Sequence, residues 1–379
     1  MPAGLVIYET THHETLPALL DLASMYFENI AVFLREMTYQ NISSIRPEEQ
    51  WQKTAFFRQA ETVSNRAFIR EAVQFAGNGR YTHFHISTLD NNLLYFAVEL
   101  YRLRRRHISL SVQAVQGYRS CQYRSLRDIT ESLAKMVFHR RIRHYRVFFP
   151  RMKDIFLQQF PRTDCHFIPS RFFSGKPNIA KGNTDFLKLV IPGSINPSRR
   201  DYAFVAAFIR DYLLEIAAKN AIELVLLGDI NTPYGLKLKN EMKAYETDRL
   251  RIRYYQGYVS QSEYERQLAA ADIIWSPVNI NTKSIRGIPE RYGISMATGL
   301  MADLLFICRP ALVPEGFGIP EHYQESLITY DSPSVLAKRL VELINDLDEN
   351  RSIRIFNALS FFSKENFKKE FEELMAIRR

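Results

Sequence analysis

The 379 residues carry 50 Lys and Arg against 41 Asp and Glu, a net charge of +9, with 46% hydrophobic and 24% charged residues. This is globular composition, which excludes a disordered or fibrous chain, and the length calls for two domains instead of one core. Three cysteines (Cys121, Cys165, Cys308), with no CxxC, make neither a closed disulfide set nor a four-ligand zinc site, so they read as buried thiols in a reducing compartment.

The start, Met1 to Ile7, has no basic stretch followed by an apolar one, so no signal peptide is expected. No run approaches the roughly 20 apolar residues of a membrane span. A cytoplasmic protein is expected, soluble or peripheral on the inner face of the cytoplasmic membrane.

In the first half, strands are expected at Leu5–Tyr8, Ile30–Leu34, Thr82–Ile86, Ile108–Val112 and Tyr145–Phe149, with helices near 15–27, 62–76, 91–104 and 126–139. His12 and His13 follow the first strand, where an open α/β domain places its cleft. There His13 could orient an acceptor or act as a base, or the pair could be exposed imidazoles of a capping loop. Asp90 suits a helix N-cap better than catalysis.

Residues 101–150 hold 12 Arg and Lys against 2 Asp and Glu. The block includes Arg104, Arg105, Arg106, Arg140, Arg141 and Arg143. It implies an anionic partner or a solvated face. Phe138 to Phe149 mixes cations with large apolar groups, so it reads either as a segment lying on anionic headgroups or as a core strand with arginines outside. No interleaved aromatic binding motif accompanies the arginines, and nucleic acid is the least favoured partner.

In the second half, strands are expected at Phe186–Ile191, Ile222–Leu227, Ile252–Tyr255, Ile273–Trp275, Ala311–Val313 and Leu327–Thr329. Helices fill 201–218, 234–245, 261–270, 299–308 and 333–345. The Ser/Gly/Pro/Lys/Asn-rich stretch before Phe186 reads as a linker. The fold class is therefore α/β, with two Rossmann-like domains facing across a cleft. The domains are 1–170 on the acceptor side and 186–350 on the nucleotide side. A linker spans 171–185, and helices over 351–379 can cross back to the first domain.

Two loops suit phosphate. Gly193 and Ser194 end a strand just before Arg199 and Arg200, where glycine permits close backbone approach and guanidinium groups pair with phosphate oxygens. Tyr292 and Gly293 precede a helix whose first amides have no internal partner. Glu290 and Asp303 flank that turn, either as acceptors for sugar hydroxyls or as a loop charge and a first-turn acid. Asp346-Leu347-Asp348 resembles a metal-binding acid pair but closes a helix far from both loops.

On Glu290-Arg291-Tyr292-Gly293, followed by a helix with Asp303 seven residues before Pro310, the second half resembles the donor domain of GT-B glycosyltransferases. The branch it resembles is the retaining one related to family 4, in a bacterial surface-polysaccharide subgroup. The resemblance covers 186–345 and implies transfer from a nucleotide sugar to a glycan or lipid-linked acceptor. It implies Glu290 at the donor sugar and Asp303 at the ribose. The diphosphate would be held by Gly193, Gly293 and Arg199 or Arg200, with no cofactor or metal. Two positions depart from it: Met296 stands where a Lys is expected, and Gln113 where a His is. A catalytically weak GT-B protein, partner to an active transferase, is the alternative implied, and a basic nucleic-acid-binding protein the third.

Overall fold

The computed structural model describes residues 4–89, 93–103, 106–119, 125–173, 185–284 and 287–377. Asp90, Arg104, Arg105, Cys121 and most of the expected linker lie outside them.

The first sheet holds seven strands: β1 Gly4–Tyr8, β2 Asn29–Arg35, β3 Thr54–Gln59, β4 His83–Ile86, β5 His107–Ser111, β6 His144–Val147 and β7 Asp164–Phe167. All pairs are parallel, in the order β3-β2-β1-β4-β5-β6-β7. Its helices are α1 Leu16–Tyr26, α2 Glu36–Ile45, α3 Asn65–Gly77, α4 Leu93–Glu99, α5 Val115–Arg119, α6 Leu126–Arg141 and α7 Pro150–Gln159.

The second sheet is built from β8 Leu187–Pro192, β9 Ile222–Asp229, β10 Leu250–Tyr255, β11 Ile273–Trp275, β14 Ala311–Pro314 and β15 Leu327–Tyr330, in the order β10-β9-β8-β11-β14-β15. Between β11 and β14 the short strands β12 Asn281–Lys283 and β13 Pro289–Arg291 form an antiparallel hairpin. Helices α8 Tyr202–Phe208, α9 Leu214–Lys219, α10 Pro233–Lys243, α11 Gln261–Ala269, α12 Gly299–Ile307 and α13 Pro333–Asn345 belong to this sheet. The chain closes with α14 Glu349–Leu359 and α15 Lys368–Leu374.

Every strand expected from the sequence is present to within two residues. The central strands are apolar throughout because helices cover both faces of a parallel sheet. Residues 5–8 of β1 and 30–34 of β2, for example, are buried without a break. The unexpected strands are β3, β7, β12 and β13. The first two are half-exposed edges, and the hairpin strands have three residues each. Cys165 and Cys308 are buried free thiols.

The membrane-segment reading of 138–149 is overturned, because Phe138, Ile142, Tyr145, Val147, Phe148 and Phe149 are all buried. Arg106 donates to the carbonyls of Gly77 and Asn78, ending α3, and Arg141 donates to Leu103 and Arg106 carbonyls. Both are spent on backbone, while Arg140 and Arg143 stay exposed.

The tail returns to the first sheet, where α15 packs on β7. Four imidazoles on neighbouring strands, His83, His107, His144 and His166, follow one another with ring centroids 5.1, 4.6 and 6.3 Å apart. His83 Nε2 donates to Met375 O at 2.7 Å and His107 Nε2 to Leu374 O at 2.8 Å. These bonds satisfy carbonyls that the end of α15 leaves without a helical partner.

Candidate active site

The strand order reverses beside β1 in the first sheet and beside β8 in the second, which opens a crevice at the carboxyl end of each. The two crevices merge into one cleft of about 380 Å³. Its first-domain wall comes from loops after β1 (His12, Glu14), β4 (Ser87, Thr88, Leu89) and β5 (Gln113, Ala114), with Lys135 from α6. Its second-domain wall comes from Arg199 and Arg200 after β8, Val278 after β11, Tyr292, Met296 and Thr298 before α12, and Gly299 at its first position.

The first wall is set by Glu9, fully buried at the end of β1. Its carboxylate accepts the Thr11 and His12 amides, each at 2.7 Å, and the Thr88 hydroxyl at 2.5 Å. A charged acceptor bonded to both loops holds their conformation tightly. Buried Arg146 adds a second tie by donating to the carbonyls of Thr15, Ile168 and Pro169. Burial pulls its guanidinium down to about 9, against the nearby Glu9 charge.

The loop so held points His12 into the cleft, with Nδ1 2.9 Å from Glu14 Oε1. Burial raises the Glu14 pKa, but the His12 bond and the charges of His12 and His13 outweigh it, leaving the carboxyl below its ordinary value. His13, the sequence candidate, turns away. Its Nε2 lies 3.2 Å from Gln261 Oε1 of α11, a contact between the domains.

On the second wall, Gly193 has φ +91°, and a β-carbon there would fall 2.3 Å from Arg200 Nη2. The guanidinium therefore lies directly over the glycine, with Nη1 donating to Ser194 O at 3.0 Å, and its buried Nε has no hydrogen-bond partner among the described residues. Gly193 and Ser194 thus touch Arg200, and Arg199 and Arg200 both line the cleft. Thr298 caps α12 through the Leu300 amide, so the positive end of that helix meets the same cleft.

The Tyr292–Gly293 turn is organised differently from the sequence expectation. The Gly293 amide donates to Met296 O, and the Ile294, Ser295 and Met296 amides all donate to Arg291 O, so they are spent within the turn. Gly293 (φ +73°) is required by packing, since a β-carbon would lie 2.7 Å from Gly318 O. The turn also docks on the first domain, with Ala297 N donating to Gln113 O and Val115 N to Ser295 O, both at 2.8 Å.

Glu290 takes part in this dock. It is 2% exposed on β13, with Oε1 accepting the Gly117 amide of α5 at 2.6 Å and Oε2 the Ser295 hydroxyl at 2.5 Å. Burial raises its pKa, opposed by the Ser295 and Gly117 bonds. Asp303 sits half-buried on α12 and accepts from Tyr264 Oη at 2.9 Å. Burial pushes its carboxyl up to about 7, against the Tyr264 bond and the charges of Arg171 and Arg200.

Gln113 and Met296, the two departures found in the sequence, both line the cleft at the domain contact, and the buried Gln113 Nε2 has no hydrogen-bond partner among the described residues. Sequence reasoning placed His12 beside His13 at the cleft but singled out only His13, and it missed Glu14 and Lys135 in the lining and Glu9 behind it. Glu9, His12 and Glu14 lie in the loop already singled out. Lys135, inside a helical run, gave no signal.

No protein-family model matches the chain, and no curated protein matches it in sequence. Among solved structures it is similar to HepE from Anabaena, in complex with UDP and glucose, at 13% identity and TM-score 0.63 over 99% of each chain. Sucrose-phosphate synthase from Thermosynechococcus elongatus aligns at 13% identity and TM-score 0.60 over 98% of each chain. The chain has the GT-B fold. This fold is not confined to transfer: a putative UDP-N-acetylglucosamine 2-epimerase from Listeria monocytogenes aligns at 10% identity and TM-score 0.54, over 98% of this chain and 94% of that one.

Proposed function

We propose that the protein is a glycosyltransferase that moves a sugar from a nucleotide-sugar donor to a hydroxyl of a glycan or lipid-linked acceptor. The reading is carried by one juxtaposition: Arg199, Arg200 and the start of α12 face His12, Glu14 and Thr88 across a single cleft. Diphosphate oxygens placed against the two guanidiniums and the helix terminus would be stabilised most as charge develops on the leaving group. This chain's own cations supply that charge, so the proposal includes no metal or other cofactor. Asp303 is the candidate for the ribose hydroxyls. His12, held by Glu14, takes the acceptor-side role that the sequence gave to His13. Retention of configuration and a place in surface-polysaccharide synthesis rest on the resemblance of Glu290-Arg291-Tyr292-Gly293 alone.

One observation favours a second reading, a catalytically weak protein of this fold that partners an active transferase. Met296, where the resemblance implies a Lys, lines the cleft and brings no cation to it.

The test is thermal denaturation with UDP, GDP, ADP and dTDP, with UDP first because HepE was solved with it. A nucleotide at 100 times its Kd stabilises by about 2.7 kcal/mol. Arg200→Ala should abolish that shift. Nucleotide-independent melting, or a shift that survives Arg200→Ala, overturns the site. Release of nucleoside diphosphate from a donor sugar separates the active reading from the weak one.

A further inference from the structure

Helix α6 carries apolar residues on both faces: Ala134 and Phe138 are buried, and a second apolar stripe is turned outward. Its polar residues Glu131, Ser132 and Lys135 are buried, with Lys135 Nζ donating to Gly117 O at 3.1 Å beside the cleft. Leu126, Ile129, Leu133 and Met136 face solvent, at 82%, 39%, 55% and 52% exposure. The spacing i, i+3, i+7, i+10 makes them one stripe along the helix, and Arg140 continues it a turn further on. The neighbouring α4, which packs against α6, exposes Leu94, Tyr95 and Val98, and Tyr101 continues that face.

Single exposed apolar residues are ordinary, but two adjacent helices that both turn large apolar side chains outward form a patch that a protein surface rarely leaves bare. Cations border it. Arg66 lies over the Tyr95 ring at 5.6 Å, and Arg140 and Arg143 are exposed, while Arg102 is paired with Glu99 at 2.9 Å.

We propose that the α4–α6 face docks on an anionic lipid bilayer, with the apolar stripes at the acyl boundary and the arginines among the headgroups. Charge complementarity selects this occupant. A second copy set face to face would oppose Arg66, Arg140 and Arg143 with their own duplicates, whereas Glu99 of α4 is buried and already paired with Arg70 and Arg102, and among the described acids of α6 Glu131 is buried and Asp128 half-buried. No helix among the described residues is long and apolar enough to cross a membrane, so the contact is interfacial. The patch borders the cleft, because Leu93 and Lys135 line it while Leu94 and Met136, next in the chain, are exposed. The inference does not depend on the glycosyl-transfer reading.

Co-sedimentation of the full chain tests it, using phosphatidylcholine vesicles with and without about one phosphatidylglycerol in three. Binding is expected only with the anionic lipid, and it should weaken at high salt. Leu133→Ser with Met136→Ser, both exposed and so neutral for folding, should lower the partition at least about tenfold. Arg140→Gln and Arg143→Gln should each lower it about fivefold.

Absent binding at low salt, or undiminished binding of the serine variant with unchanged melting, overturns the proposal. So does a dimer in light scattering that the serine variant dissociates, which would give the face to a second copy. Vesicle-independent capture of nucleic acid that the arginine variants abolish overturns it as well.

Discussion

Glu290→Ala removes a buried carboxylate that accepts the Gly117 amide at 2.6 Å and the Ser295 hydroxyl at 2.5 Å, one on each side of the domain contact. A hydrogen bond to a charged acceptor contributes about 1.5–3 kcal/mol, and the amide left unmet costs about 1–3 kcal/mol. Part of this is returned, because the carboxylate no longer has to be desolvated, the same burial that raises its pKa. The net loss expected is about 2–4 kcal/mol, which for a domain of this size lowers the melting temperature by about 5–12 °C. Glu290→Gln keeps an oxygen for Gly117 and offers an amide to Ser295, whose hydroxyl can reverse its role. It should melt within about 1 kcal/mol of the wild type. Calorimetry of the two variants beside the wild type, with donor turnover measured on each, is the assay. If Glu290→Gln proves as unstable as Glu290→Ala, a neutral acceptor does not suffice and the dock is electrostatic. If it melts normally yet loses turnover about a hundredfold or more, the carboxylate takes part in the chemistry and its assignment as a dock is refuted.

Gly193→Ala forces an L residue to φ +91° and pushes Arg200 aside, so it should cost about 1–2 kcal/mol of stability and weaken nucleoside-diphosphate binding in calorimetric titration. Asp303→Asn removes a charge that the fold disfavours. Because its carboxyl is raised from 3.8 to about 7, the native state holds the extra proton and loses stability as pH climbs through that interval. The Asn variant's thermal advantage should therefore grow from about pH 4 and level off above about 7. Its nucleotide affinity should fall by about 1.5–3 kcal/mol; unchanged affinity removes Asp303 from the site. His83 and His107 are pulled by burial from 6.5 to about 4 and about 3. Both stay neutral in the fold and take up protons on unfolding, so stability should be complete above about pH 6.5 and fall toward pH 4. Melting scans across that range check this, and His107→Gln should flatten the slope.

The alternation of strands and helices was legible because a parallel sheet covered on both faces writes its strands as unbroken apolar runs, as in Leu5–Tyr8 and Ile222–Leu227. The nearness of Arg200 to Gly193 was legible too, since the two lie close in the chain and their geometry is local. Edge strands were not, because β3 and β7 keep only part of that pattern. The partner of Glu290 lies 173 residues away, and nothing in Glu290-Arg291-Tyr292-Gly293 distinguishes a carboxylate facing a ligand from one facing an amide. His12 and His13 are neighbours of one type, and only the turn held by Glu9 decides which faces the cleft. Helix α6 shows the limit most directly. Periodicity states that Leu126, Ile129, Leu133 and Met136 share a face, but which face water covers depends on what packs against the other. Here the inner face buries Ala134 and Phe138 together with Glu131, Ser132 and Lys135, whose Nζ meets the Gly117 carbonyl beside the cleft, and the apolar stripe is left outside.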